Sequence, residues 1–285
     1  MKASAFSYRR PTDLGEAIAL LSDTDSDVAA LAGGQSLMAM MNFRVAAPDM
    51  LVDLADLAEL RGISTSDAGL RIGAMTSYTQ LSQSDEVAVA APMIPLALPH
   101  IAHPAIRNRG TIGGSVALAD PAAEMPAVLL VMDAEIELVG PRGSRRVAAS
   151  DFFLGMYETA READELVTAI HVPRQARERR YGFYELARRH GDYAMAGVAL
   201  SALRTQTGAL DDPRVAVFGV ADRAERVPAA ESCIAGKATD DAASISAAVE
   251  ALGAITFNAD LNATEDTKQH LTGVCLRRAI REMSA

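Results

Sequence analysis

The chain has 285 residues, 49% of them hydrophobic and 22% charged, the composition of a globular protein long enough for two domains. Its 27 Lys and Arg against 37 Asp and Glu give a net charge of −10 with no dominant basic run, so neither nucleic acid nor an anionic membrane surface is an expected partner. No stretch approaches the roughly 18 apolar residues of a membrane span, and the first ten residues lack the apolar segment of a secretory signal, so residence in the cytoplasm is the expectation.

The chain opens with a short extended stretch at 6–9. A helix is expected over 12–22, where Leu14, Ala17, Ile18 and Leu21 make an apolar stripe, with Thr12 as N-cap and Glu16 in the first turns. A buried strand at 28–32 then feeds the string Ala32-Gly33-Gly34-Gln35-Ser36-Leu37. Another strand is expected at 50–54, after the turn at Ala47-Pro48-Asp49. A second segment begins near Arg61, with a strand at 69–74 and helical patches at 77–81 and 84–98. Residues 100–106 lead through Arg107-Asn108-Arg109-Gly110 into a second doublet, Thr111-Ile112-Gly113-Gly114-Ser115. Asp120 reads as the N-cap and Pro121 as the first residue of a helix running to Val131. A strand at 134–139 turns at Arg142-Gly143-Ser144, with Val147 and Ala148 pairing back, and a strand at 165–172 is stopped by Pro173.

The arginine-rich stretch at 174–180 reads as a linker. The expected division is 1–176 (subdomains of about 1–60 and 61–176) and 177–285. The last part reads as three strands (181–187, 197–204, 214–220) followed by helices at 240–252 and 267–282, an α+β arrangement.

Each glycine doublet is followed by a hydroxyl residue or leads to one. Adjacent glycines let the backbone turn sharply and approach a ligand, and successive N–H groups can then cradle an anion. Two such loops can clamp a pyrophosphate from both sides, which points to a dinucleotide cofactor. Cys233 and Cys275 stand in no C-x-x-C spacing, so the chain holds no iron–sulfur cluster of its own, and free thiols are expected. His100 and His103 are bracketed by Pro99 and Pro104, which disfavours a helical metal face, and no metal site is expected.

These strings, together with Phe43-Arg44, Pro48-Asp49-Met50-Leu51-Val52-Asp53-Leu54, Ala119-Asp120-Pro121-Ala122-Ala123-Glu124 and Arg188-Arg189-His190-Gly191-Asp192-Tyr193-Ala194, occur in one order along nearly the whole chain. In that order they resemble the FAD-binding medium subunit of molybdenum hydroxylases, the xanthine oxidase superfamily. The separate-subunit arrangement of carbon monoxide dehydrogenase and the bacterial N-heterocycle hydroxylases is the one resembled. The resemblance implies a two-subdomain FAD-binding domain of the vanillyl-alcohol-oxidase type, then a C-terminal domain with a three-stranded sheet and helices covering the flavin. By the same resemblance Ala32, Gly33, Gly34, Gln35, Ser36 and Leu37, with Thr111, Gly113, Gly114 and Ser115, hold the pyrophosphate. Ile101, Ala102 and Ile106 pack near the cofactor, Asp120 contacts the flavin nucleotide, and Glu124 follows one helical turn on. Leu166 lies at the ring, Tyr193 over its face, and Arg188 near it. Arg107 and Arg109 are left between a structural role, at the loop or a partner subunit, and contact with FAD.

What the family does is then implied as well. FAD in this chain would take electrons from two [2Fe-2S] clusters on a small partner subunit and pass them to an external acceptor, while a large subunit with a molybdopterin centre hydroxylates the substrate. No catalytic acid, base or nucleophile is expected in this chain. Gln35 and Leu118, where carbon monoxide dehydrogenases tend to carry His, favour an aromatic or N-heterocyclic substrate, with carbon monoxide as the alternative. A stand-alone FAD oxidoreductase and a cofactor-free scaffold subunit are the other two readings.

Overall fold

Three sheets follow one another along the chain in the computed structural model, which describes residues 2–283. The first holds β1 (Ser7–Arg9), β2 (Val28–Leu31) and β3 (Met50–Asp53), all parallel in the order β1-β3-β2, with α1 (Leu14–Leu21) and α2 (Leu37–Asn42) as the crossovers. The cap of α1 is Asp13 rather than Thr12: its carboxylate accepts the Glu16 N–H at 2.8 Å, while Glu16 reaches back to the Thr12 N–H at 3.2 Å. The β2 residues are half-buried rather than buried.

The second sheet is antiparallel, in the order β4-β5-β10-β6-β7, built from β4 (Ile63–Ser66), β5 (Gly69–Gly73), β6 (Glu135–Gly140), β7 (Gly143–Ala148) and β10 (Leu166–Pro173). Six short helices fill the span between β5 and β6: α3 (Tyr78–Ser82), α4 (Asp85–Ala90), α5 (Met93–Ala97), α6 (Pro104–Arg107), α7 (Ile112–Leu118) and α8 (Glu124–Val131). The helical stretch expected over 84–98 is broken between α4 and α5. Pro92 pushes the preceding residue out of the helical region, and Ala91 sits at φ −137°, ψ 60°. The helix expected from Asp120 starts instead at Glu124. The Asp120 carboxylate accepts the Ala122 N–H at 2.9 Å and its carbonyl the Ala123 N–H at 3.0 Å, a local turn that competes with the helix. After β7 come α9 (Ala149–Phe152) and the two-stranded hairpin of β8 (Phe153–Gly155) and β9 (Glu158–Thr159).

The third sheet runs β11-β12-β13-β14, from β11 (Arg179–Ala187), β12 (Ala194–Arg204), β13 (Leu210–Phe218) and β14 (Glu225–Arg226). It has four strands where three were expected, because the two-residue β14 pairs with β13 after the turn at Gly219. Then come α10 (Pro228–Ile234), absent from the sequence reading, α11 (Ala242–Ala251) and α12 (Glu265–Glu282). The last helix crosses β11 where Gly182 has no side chain; a Cβ there would lie 2.0 Å from the Ala279 carbonyl oxygen.

All eight residues of α8 are buried, so this helix has no polar face. One side meets the second-sheet core and the other the third sheet, in one continuous cluster that includes Val128, Leu129, Ile136, Ile170, Phe183, Ala199 and Phe218. The opposite face of the third sheet packs Val198, Leu200 and Val217 against Leu252, Leu276 and Ile280 in a second cluster. A smaller cluster, Ala17, Val52, Leu57, Leu60, Met75 and Leu166, supports the first sheet. Each fully buried aliphatic side chain of this kind contributes about 1.5–3 kcal/mol.

Candidate cofactor-binding site

The first glycine doublet forms the loop between β2 and α2. Gly34 is at φ 72°, a conformation open to glycine. Among the described residues, the N–H groups of Gly33, Gly34, Gln35 and Ser36 find no backbone or side-chain acceptor. Four consecutive unspent donors are a ready concavity for an anion. The Gln35 side chain folds back, its Nε2 donating to the Gly33 carbonyl at 3.0 Å. Gly33 lies flat on the next segment: a Cβ would meet the Arg109 carbonyl oxygen at 2.1 Å and Gly110 Cα at 2.9 Å.

The second doublet behaves differently from the first. It occupies the first turn of α7, and its donors are already used. Ile112 N–H bonds the Thr76 carbonyl at 3.1 Å, Gly113 N–H the Ala74 carbonyl at 2.9 Å, and Ser115 N–H the Thr111 carbonyl at 3.1 Å. Gly114 N–H bonds the Thr111 hydroxyl, the N-cap, at 3.1 Å. What these glycines provide is proximity. A Cβ on Gly113 would fall 2.4 Å from Ala74 Cβ, and one on Gly114 3.3 Å from Ala32 Cβ. The start of α7 is thereby drawn against the first loop, and Thr111, Gly113, Gly114 and Ser115 come to lie beside Ala32. The Ser115 hydroxyl meets that of the buried Tyr78, whose phenol is pushed up by burial.

Ile101 is buried, Ala102 and Ile106 half-buried. Ala102 holds a positive φ of 44°. Arg107 is what keeps that bend: its Nη1 donates to the carbonyls of Ile101 at 2.8 Å and Ala102 at 2.9 Å. The guanidinium is thus occupied by the loop, a structural role. The Arg109 side chain is exposed, while its backbone packs on Gly33. The same bend receives the third sheet, because a Cβ on Gly191 would lie 2.5 Å from the His103 ring.

Asp120, Glu124 and Tyr193 gather at this seam. Asp120 is half-buried and its pKa is raised, by desolvation first, against the opposing effect of the Ala122 N–H and the Tyr157 hydroxyl. Glu124 is only 8% exposed. Burial, then the charge of Glu185, then that of Asp120, push it up to about 8. Tyr193 keeps 69% of its surface exposed and is influenced by Asp120, Tyr157 and Glu124. Tyr157 was not singled out from the sequence. It sits at φ 57° in the β8–β9 turn with its ring 55% exposed, and a left-handed tyrosine carries no sequence signal. Arg188 lines one hollow of about 280 Å³ with Tyr193, Asp192 and Asn262, and its Nη1 donates to Asn262 at 3.1 Å. Leu166 is 4% exposed, its side chain taken up by the core of the first sheet among Val52 and Leu57. Ser36 and Leu37 lead into α2.

A pyrophosphate needs N–H donors with no acceptor of their own, which the Gly33–Ser36 loop offers. An aromatic ring system needs an exposed apolar face, which Tyr193 offers. The residues present suit FAD on both counts.

The comparisons with known proteins agree with this chemistry. The family model described as "FAD binding domain in molybdopterin dehydrogenase" matches residues 4–175, and that described as "CO dehydrogenase flavoprotein C-terminal domain" matches residues 181–283. The chain belongs to the family of FAD-binding medium subunits of molybdenum hydroxylases. Within it, the chain is 36% identical over 285 residues to the nicotine 6-hydroxylase medium subunit of Paenarthrobacter nicotinovorans, covering 100% of this chain and 99% of that one. It is 38% identical over 275 residues to the carbon monoxide dehydrogenase medium chain of Hydrogenophaga pseudoflava, 96% of each. Among solved structures, carbon monoxide dehydrogenase from Hydrogenophaga pseudoflava superposes with a TM-score of 0.96 at 38% identity over 100% of this chain and 99% of that chain. Quinoline 2-oxidoreductase from Pseudomonas putida 86 gives 0.94 at 37% identity, covering 100% and 98%.

Proposed function

We propose that this chain carries FAD at the seam of its three sheets and works as the electron-transfer subunit of a molybdopterin-dependent hydroxylase. It takes electrons from [2Fe-2S] clusters on a small partner subunit and passes them to an external acceptor. The substrate is oxidised at a molybdopterin centre on a large partner subunit. The observation that supports this most directly is the run of unspent donors at Gly33, Gly34, Gln35 and Ser36. A scaffold that had lost its cofactor would have no use for four unpaired backbone donors.

Bound FAD supplies the exchange of electrons between one-electron and two-electron partners. The residues of this chain do the binding and orienting. Each N–H to pyrophosphate hydrogen bond is charge-assisted and contributes about 1.5–3 kcal/mol. Thr111 and Ser115 hold the start of α7 against that loop, Arg107 fixes the bend at Ile101 and Ala102, and Tyr193 covers the ring. Asp120, Glu124 and Arg188 would lie around the bound group, and Leu166 would support it from the core of the first sheet. Residues 1–176 and 177–285 are the two units between which this happens.

The proposed substrate is an aromatic or N-heterocyclic compound, and the proposed location is the cytoplasm. No described helix is long and apolar enough to cross a membrane. Relatives named for nicotine and for carbon monoxide are 36% and 38% identical to this chain, so overall identity does not sort the substrate. Gln35 supports the aromatic reading.

The test is purification of the complex from its host, with the flavin identified after denaturation and the accompanying chains sized. FAD, iron–sulfur absorbance and two further chains support the proposal. A colourless chain that rejects added FAD refutes it. A yellow chain that turns over substrate alone replaces it with a self-contained flavoenzyme. Turnover of carbon monoxide, and not of N-heterocycles, by the purified complex would correct the substrate class.

A further inference from the structure

The chain's other two lysines, Lys2 and Lys237, are exposed, but Lys268 near the start of α12 is only 5% exposed. Two physical effects oppose a cation there. Burial strips the ammonium of water, and the start of a helix carries the positive end of its dipole. The bonds that Lys268 makes show what it holds. Its Nζ donates to the Gly219 carbonyl at 2.8 Å and pairs with Asp260 Oδ2 at 2.8 Å. Gly219 is itself fixed: it sits at φ 77°, its N–H donates to the Pro121 carbonyl at 2.8 Å, and a Cβ there would lie 2.6 Å from the Ala194 carbonyl oxygen. On one side, then, Lys268 is bound to a point that joins the turn after Asp120 to the strand that follows Tyr193.

On its other side Lys268 holds the loop before α12. Asp260 organises that loop: its Oδ1 accepts the N–H groups of Asn262 at 2.6 Å and Ala263 at 3.0 Å, and its own N–H donates to the Ala263 carbonyl at 3.0 Å. Leu261 at the tip is fully exposed, so burial does not hold the tip. Asn262 then receives Arg188, whose Nη1 donates to its Oδ1 at 3.1 Å. Arg188 is exposed and lines the hollow of about 280 Å³ with Tyr193. From Gly219 through Lys268, Asp260 and Asn262 to Arg188, each link is a hydrogen bond or a step along one tight turn. A methionine at 268 would fill the same space with no ammonium to desolvate, so packing alone does not account for the lysine.

We infer that Lys268 is a positioning residue of the cofactor site: through Asp260 and Asn262 it holds the Arg188 guanidinium at the wall beside Tyr193, without touching the bound group. The inference rests on the FAD reading above. A long exposed arginine samples many rotamers unless a partner selects one. Asn262 selects it here, and Asn262 stays in place because a buried ion pair anchors its loop. Among the described residues, Asn262 takes one N–H donor of Arg188, which leaves the others for a carbonyl or phosphate oxygen of the cofactor. The ordering of Arg188 is then complete before the cofactor arrives, and binding does not bear its entropy.

The test is a double-mutant cycle on the complex, read by FAD titration of the apo form and by hydrogen exchange. Lys268→Met should weaken FAD binding roughly tenfold and speed exchange of the Asn262 and Ala263 amides in the apo form. Lys268→Arg, which keeps the charge, should recover most of the affinity. In an Arg188→Ala background, Lys268→Met should change affinity by less than about twofold, because the side chain it positions is gone. Ile280→Val truncates the core on the same helix, so it should lower the melting temperature and leave affinity at the wild-type value. Asn262→Ala, at an exposed position, cuts the same link without unpairing a buried charge; it should weaken binding in the same Arg188-dependent way and carries the test where Lys268→Met does not fold. Wild-type affinity in folded Lys268→Met or in Asn262→Ala, a loss that persists in the Arg188→Ala background, or an equal loss in Ile280→Val overturns the positioning role and leaves the FAD reading intact. A wild-type complex that binds no FAD overturns the FAD reading itself, and the positioning role with it.

Discussion

Replacing Gly33 by alanine tests the geometry of the first loop most sharply. An added Cβ would sit 2.1 Å from the Arg109 carbonyl oxygen, 2.8 Å from its carbonyl carbon and 2.9 Å from Gly110 Cα. All three are backbone atoms, so no flexible side chain can yield, and the loop must lift by about an ångström to reach ordinary contact. Overpacking of this sort costs about 1–3 kcal/mol of stability. The larger effect falls on binding, because the lift re-aims the unspent N–H groups of Gly33 and Gly34. Losing one or two charge-assisted bonds of about 1.5–3 kcal/mol each, about 1.5–6 kcal/mol in all, weakens FAD binding roughly 10- to 20,000-fold. The assay is FAD titration of the apo complex, with a melting curve to separate unfolding from loss of binding. Gly253→Ala is the control, since its nearest neighbour would be the Gln269 amide nitrogen at 3.7 Å. A folded Gly33→Ala complex with wild-type affinity would refute the argument that this loop binds the pyrophosphate.

Gly113→Ala should act on stability first, because its Cβ would meet Ala74 at 2.4 Å and its N–H is already bonded to Ala74. A penalty of about 1–3 kcal/mol should lower the melting temperature by roughly 2–10 °C, and a melting temperature equal to wild type would contradict the packing. Glu124→Gln should flatten the alkaline side of the stability profile. An acid raised from 4.5 to about 8 keeps its proton in the folded chain and loses it in the unfolded one, so wild-type stability falls as pH rises from about 4.5 to about 8. The variant should gain over wild type by pH 8, on the order of a few kcal/mol, in denaturant titrations; parallel profiles for the two proteins would disprove the buried-acid assignment. Tyr193→Ala removes a ring that is 69% exposed, so stability should change by under about 0.5 kcal/mol. FAD affinity should nevertheless drop about 2- to 10-fold through the lost stacking, and a drop in stability without one in affinity would place the ring elsewhere.

Much of the fold is legible because periodicity and turn residues agree locally. The stripe of Leu14, Ala17, Ile18 and Leu21 gives α1, and the run ending at Pro173 gives β10. The failures have local causes too. Pro92 divides a stretch whose apolar pattern reads as one helix, and Asp120 spends its carboxylate on Ala122 instead of capping. The two-residue β14 exists only because β13 offers it an edge, which no local pattern encodes. At the site, both glycine doublets are visible as strings, yet one presents free donors and the other consumes them. That difference depends on Ala74 and Thr76, which approach α7 only in the folded chain. Glu185 is missed for the same reason: 61 residues separate it from Glu124, and only the fold, which packs β11 on α5, brings its charge to bear on that acid.

The arrangement also explains why the site lies where three sheets meet. α8 is clamped by the third sheet at both ends: Gly219 N–H donates to the Pro121 carbonyl at 2.8 Å, and the Ser201 hydroxyl to the Val131 carbonyl at 2.9 Å. The second and third sheets therefore share one core. The first sheet meets the second through a smaller apolar cluster, in which Leu166 of β10 and Met75 pack with Val52 and Leu57, and through two glycine approaches, Gly33 on Arg109 and Gly114 on Ala32. The glycine contacts themselves bury little apolar area, so close to them the seam gains little from the hydrophobic effect. On the proposed reading, a dinucleotide held by Gly33–Ser36 on one side and by Asp120 and Tyr193 on the other would span that seam. At a free concentration a hundred times Kd it would add about 2.7 kcal/mol to the folded state. On that reading the cofactor would add to the apolar cluster in holding the first sheet to the second, and FAD-loaded complex should melt above the apo form; equal melting temperatures would place the cofactor elsewhere.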